Sequence, residues 1–148
     1  MAQVRWSILC RESPLDPAKQ TLSLTEITDS ILVAGLPQGA LERGGIAVAI
    51  QLQLVTMWRR TDVNTPETIQ ARLVVVDPSG TYLGESVDQV IDLSGNNVQF
   101  RVTSGIEIMP LRGRGFYTFR VEQRRDAAAG WSVAEEVPLY VEEAPPPS

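Results

Sequence analysis

Between Ile46 and Leu54, apolar and small or polar residues alternate without a break: Ile46, Val48, Ile50, Leu52 and Leu54 against Ala47, Ala49, Gln51 and Gln53. A strand turns successive side chains to opposite faces, so a period of two gives it one buried face, whereas the same pattern would scatter apolar groups all round a helix. Seven further segments read as strands. The first places Val4, Trp6, Ile8 and Cys10 inward; the second, Leu22 to Val33, changes parity after Leu24, which predicts a bulge. The fourth carries Ile69, Ala71, Leu73 and Val75, and the fifth Leu83, Val87, Ile91 and Leu93. Val98, Phe100, Val102, Ile106 and Ile108 form the sixth, Tyr117, Phe119 and Val121 the seventh, and Trp131 to Val141 the last. Asp77-Pro78-Ser79-Gly80 is a strong turn, and Gly95-Asn96-Asn97 predicts a hairpin between the fifth and sixth strands. No helical period is sustained; the single candidate for a helical turn lies at Gln38–Arg43.

The 148 residues, 43% hydrophobic and 21% charged, suit one globular domain. We place it at 1–141, followed by an acidic, proline-rich tail at 142–148 expected to be disordered. One cysteine cannot close an intramolecular disulfide, no basic stretch precedes a long apolar run near the N-terminus, and no apolar run approaches the ~20 residues of a membrane helix. These features predict a cytoplasmic protein without membrane contact. The net charge of −5 gives no reason to expect nucleic-acid binding, which depends on neutralising phosphates.

The chain has no histidine, which removes the commonest general base and metal ligand. Cys10, among apolar neighbours, lacks the electropositive setting that activates a thiol and reads as a core residue. Asp88 and Asp92, four apart on one strand, would stand about 13 Å from each other, beyond the carboxylate spacing of glycosidases. A calcium loop built on Asp77 with Asp29 or Asp126 lacks the several carboxylates close in sequence that such sites use. The expectation is a chain that is not an enzyme, with no catalytic residues, no metal and no cofactor.

Arginine supplies twelve of the thirteen basic residues. Arg59-Arg60 and Arg124-Arg125 end the third and seventh strands. If strands alternate in direction, these pairs share one end with Arg11 and the Asn96-Asn97 turn, leaving Arg43, Arg112 and Arg114 at the other. Clustered end loops are common binding sites, so Arg59, Arg60, Arg124 and Arg125 are the candidate binding residues. Glu12, Asp62, Glu67 and Asp126 lie nearby in sequence, and a neutralised rim is the plainer reading.

Outward apolar residues carry the other hint. Val55 and Met57 on the third strand and Val74 and Val76 on the fourth predict a second buried surface, covered by the chain itself or by another copy. These four are the candidate interface residues.

Gly115-Phe116-Tyr117-Thr118-Phe119-Arg120-Val121, with Trp131 and Val137-Pro138-Leu139-Tyr140-Val141, resembles the closing hairpin of immunoglobulin-like sandwiches. Ser7-Ile8-Leu9-Cys10-Arg11-Glu12, followed by Leu22-Ser23-Leu24 and Ile27-Thr28-Asp29-Ser30-Ile31, is similar to the opening of an uncharacterised bacterial family of small single-domain sandwiches. The resemblance implies an antiparallel immunoglobulin-like β-sandwich of seven to nine strands, and no activity. The expected function is therefore protein interaction or assembly, with a protein partner or a second copy as a homodimer. The alternative is a small-ligand or carbohydrate-binding domain with Trp58 or Trp131 as a stacking platform.

Overall fold

The computed structural model describes residues 2–19, 21–86 and 88–145. The strands are β1 (Gln3–Cys10), β2 (Leu15–Asp16), β3 (Thr21–Leu22), β4 (Ser30–Val33), β5 (Ile46–Arg59), β6 (Glu67–Val76), β7 (Tyr82–Glu85), β8 (Gln89–Leu93), β9 (Gln99–Leu111), β10 (Gly115–Arg124) and β11 (Ser132–Glu143). A single helical turn, α1 (Ala40–Arg43), falls where the sequence predicts one. The fold is all-β. One sheet runs β1-β5-β9; the larger runs β4-β11-β10-β6-β7, with β8 also on β6; β2 and β3 form a small ribbon. Every pairing is antiparallel except that of β4 with β11, which is parallel and so departs from the all-antiparallel expectation.

The two main sheets share one apolar core. Leu9, Leu52, Leu54 and Trp58 enter it from the smaller sheet, and Ile69, Leu73, Ile91, Phe119 and Leu139 from the larger. The alternation along β5 sets its register as expected: Leu52 and Leu54 are buried, Val48 and Ile50 are partly buried against the core, and Ala49 and Gln51 are exposed. Tyr117 is buried on β10. Its hydroxyl donates to the Gly113 carbonyl and accepts from the Arg112 amide, both at 2.6 Å, tying the turn between β9 and β10 to the core.

Several expectations need correction. The β1–β5 register shifts between Val4 and Trp6. One irregular step exchanges the faces, so Leu9 enters the core opposite Leu54, while Trp6, Ile8 and Cys10 lie on the other face opposite Met57, Val55 and Gln53. The predicted second strand is not a bulged strand. It breaks into β3 and β4, with Glu26 between them in the left-handed region at φ 51. The fifth segment divides into β7 and β8, both on β6; Val87, predicted inward, lies outside the described residues. These two breaks, with β2 in a segment expected to be loop, bring the strands among the described residues to eleven, above the seven to nine expected.

Gly95-Asn96-Asn97 does not close a hairpin. It carries the chain from β8 in the larger sheet to β9 in the smaller. On β9 the ladder shifts between Ala49 and Leu52, setting Ile50 and Gln51 against Glu107, and Ile108 turns outward at 66% exposure. The domain boundary placed at 141 falls inside β11, because Glu142 and Glu143 pair with Leu32 and Val33. Residues 146–148 of the expected tail lie outside the described residues.

Candidate interaction surfaces

The four candidate arginines do not form one site. Arg60 is buried and its guanidinium is spent on the backbone: Nε donates to the Leu93 carbonyl (2.7 Å), Nη1 to that of Val63 (2.8 Å) and Nη2 to that of Gly95. It staples the loop after β5 to the β8–β9 connection. Arg59 is exposed at the start of the same loop, 3.5 Å from the Gln3 side chain. Arg124 donates to Gln70 (2.7 Å) and Asp88 (3.0 Å), and Arg125 is exposed beside it. Arg11 does not join them. β1 runs antiparallel to β5, which places Arg11 far along that ladder, donating to the Gln51 carbonyl. Arg43 and Arg112 do share the opposite end, where Gly113 donates to the Leu41 carbonyl of α1 and Arg112 packs against Gly44.

Arg124 belongs to a larger arrangement on the outer face of the six-stranded sheet. Arg72 on β6 donates to Glu122 on β10 (2.8 Å) and to Glu85 on β7 (2.6 Å). Arg120 lies 3.4 Å from Glu136 on β11. Trp131 has the guanidinium carbons of Arg72 and Arg124 each 4.3 Å from its ring centre. Cation and carboxylate alternate across the strands, so the arginines are neutralised where they stand and the Trp131 ring is already engaged by two of them. Trp58, the other candidate platform, is 1% exposed in the core. Sequence reasoning missed this lattice, although Arg120, Glu122 and Arg124 alternate on one face of β10 with the period of a strand.

The lattice also accounts for Val74, whose ladder partners are Arg120 and Glu85. Long arginine side chains lay their methylene stems over such a residue, and Val74 is 1% exposed. Val76, opposite Thr118 and Tyr82, is also buried. Val55 and Met57 stand elsewhere, because β5 and β6 belong to different sheets. The four residues predicted as one interface therefore form no common surface, and three of them are covered within the chain.

Around Val55 a different apolar surface remains. On the outer face of the three-stranded sheet, Ile8 and Thr103 flank Val55, Trp6 and Arg101 flank Met57, and Cys10 and Gly105 flank Gln53. Val55 and Cys10 are fully buried, while Trp6, Ile8 and Met57 stay partly exposed and outside the core. Burial pushes the Cys10 thiol above its ordinary value and away from the reactive thiolate.

Of the carboxylates weighed for catalysis or calcium, Asp88 accepts from Arg124 and three others are engaged by their own turns. Asp92 accepts from Ser94, Asp126 from Ala128 and Ala129, and Asp77 from Ser79 and Thr81. Among the described residues no group of three or more cysteines and carboxylates is placed to hold a metal, and no helix is long and apolar enough to cross a membrane. Compared with known protein families and with curated proteins, the sequence matches none.

Proposed function

We propose that this chain is a non-enzymatic interaction or assembly module of the cytoplasm, built on an immunoglobulin-like β-sandwich. The observation that carries the proposal is the outer face of the β1-β5-β9 sheet. Trp6, Ile8 and Met57 lie side by side there, partly exposed and apart from the core. Aromatic and methionine side chains are enriched where proteins meet, and a contiguous apolar patch on a sheet is a common mark of a binding surface.

Support for the finer fold comes from strand order. Immunoglobulin-like domains keep strands A, B and E in one sheet and C, F and G in the other. β1, β5 and β9 correspond to the first set, and β6, β10 and β11 to the second. The Tyr117 hydroxyl reaching back to Gly113 fits the tyrosine corner that such domains carry at the start of strand F. Kinship with the bacterial family of small sandwiches is part of the same reading. A single buried cysteine fits a reducing compartment.

Affinity capture with the immobilised chain tests the role of this face. A bound protein, or a bound second copy, should be retained by the wild type and lost by a folded Met57→Glu variant. Equal retention by both would remove the Trp6–Met57 face from the proposal.

A further inference from the structure

The outer edge of β9 is the long strand edge this fold leaves open, and we propose that it pairs, antiparallel and about a two-fold axis at Ser104, with β9 of a second copy. This inference rests on the assembly reading above and names its partner and surface. β9 ends its sheet, and among the described residues it pairs with β5 alone. The other edges are shorter or partly met. The end of β1 is met by the 25–28 segment, Thr28 donating to the Leu9 carbonyl and Arg11 to that of Thr25. β4 is four residues long, and β7 and β8 are separate short pieces. β9 holds no lysine, and its one proline, Pro110, lies beyond the Arg101–Glu107 span that would pair.

The direction of the free backbone groups can be read from the ladder. The Arg60 amide donates to the Val98 carbonyl, and backbone groups alternate in direction along a strand, so Phe100, Val102, Ser104 and Ile106 turn theirs toward β5. Arg101, Thr103, Gly105 and Glu107 turn theirs outward, and Thr103, Gly105 and Glu107 are exposed. A two-fold at Ser104 sets Arg101 opposite the partner's Glu107 and Thr103 opposite the partner's Gly105. Four such pairs exchange about eight main-chain hydrogen bonds.

Charge selects this register. The neighbouring registers that keep the outward groups matched put Arg101 opposite Thr103, Gly105 or Met109, whereas the Ser104 axis makes two opposite-charge pairs. Neither Arg101 nor Glu107 has an ion-pair partner among the described residues, although Arg72, Arg120 and Arg124 all have theirs. On the inward face the same register brings Val102, which is only partly buried, against the partner's Ile106. Most homo-oligomers close as two-fold dimers of this self-complementary kind.

Light scattering after size exclusion at micromolar concentration is the test. The wild type is expected at twice the 16.3 kDa chain mass. E107R, which faces Arg101 with a like charge, should raise the dimer dissociation constant about tenfold or more. The double exchange R101E/E107R restores complementarity and should recover the dimer. Thr103→Pro removes an outward amide and should give a monomer, with circular dichroism checking the fold of each variant. A wild-type mass of 16.3 kDa at every concentration overturns edge pairing. A dimer that E107R leaves intact and Met57→Glu dissolves also overturns it, while preserving the broader assembly reading.

Discussion

Arg60 illustrates how little a charge in a sequence says about its use. Next to Arg59, it reads as half of an exposed basic pair. Folded, it is 6% exposed and divides its guanidinium among three carbonyls, two in loops and one at the end of β8. Arg60→Ala would leave those carbonyls without donors, and a buried polar group without a partner costs about 1–3 kcal/mol. We expect a loss of about 2–4 kcal/mol in urea unfolding, with Arg60→Lys recovering only part, since an ammonium cannot fork to three fixed acceptors. A loss under ~1 kcal/mol would mean that the staple does not hold in solution. Leu52 tests the core in the same way. At 2% exposure, its replacement by alanine should cost about 2–5 kcal/mol, and a small loss would show the β5 register to be wrong.

At the scale of elements, the turn between β6 and β7 couples structure to pH. Burial of the Asp77 carboxyl acts to raise its pKa, but hydrogen bonds from Ser79 and Thr81 and the charge of Arg112 outweigh burial and hold it below the ordinary carboxylate range. A depressed pKa contributes stability above the unfolded value, about 3.9, which is lost as pH falls through the folded value. Asp77→Asn should therefore be less stable than wild type at pH 7, and the gap should narrow below about pH 4. Urea unfolding of both proteins at several pH values measures it; a gap that is constant with pH would show that the charge of Asp77 plays no part. The ion-paired face formed by β6, β10 and β11 acts at the same scale. It sets Arg120 and Glu85 on either side of the buried Val74.

For the whole molecule, the decisive contrast lies between the two sheets. The larger sets an ion-paired cluster on its outer face, with Phe116, Tyr82 and Val133 exposed around it, while the smaller holds Trp6, Ile8 and Met57 partly exposed on its outer face and leaves the edge of β9 open. If two copies join along that edge, folding and association are linked, and the melting temperature must rise with protein concentration. Differential scanning fluorimetry over a hundredfold range of concentration should show that rise for wild type and a flat response for E107R. A flat response from both would mean that the native state is a monomer.

Strand content, the inward set of β5, the buried faces of β6 and β10, the Asp77 turn and the helical turn at α1 are all legible in the sequence, because each depends on the period or turn chemistry of a few adjacent residues. Which sheet receives each strand is not. Nothing local separates β8 from β9, or shows that β5 and β6 never pair, since those assignments are contacts between distant residues. The faces of Trp6, Ile8 and Cys10 differ from those their spacing predicts for a related reason: one shift in the β1–β5 ladder reverses every later side chain without marking the sequence. What lies beside Val74 is equally non-local: its ladder partner Arg120 is 46 residues away on β10. The open edge of β9 likewise exists only once the sheet is assembled, being the side to which no other strand of the chain comes.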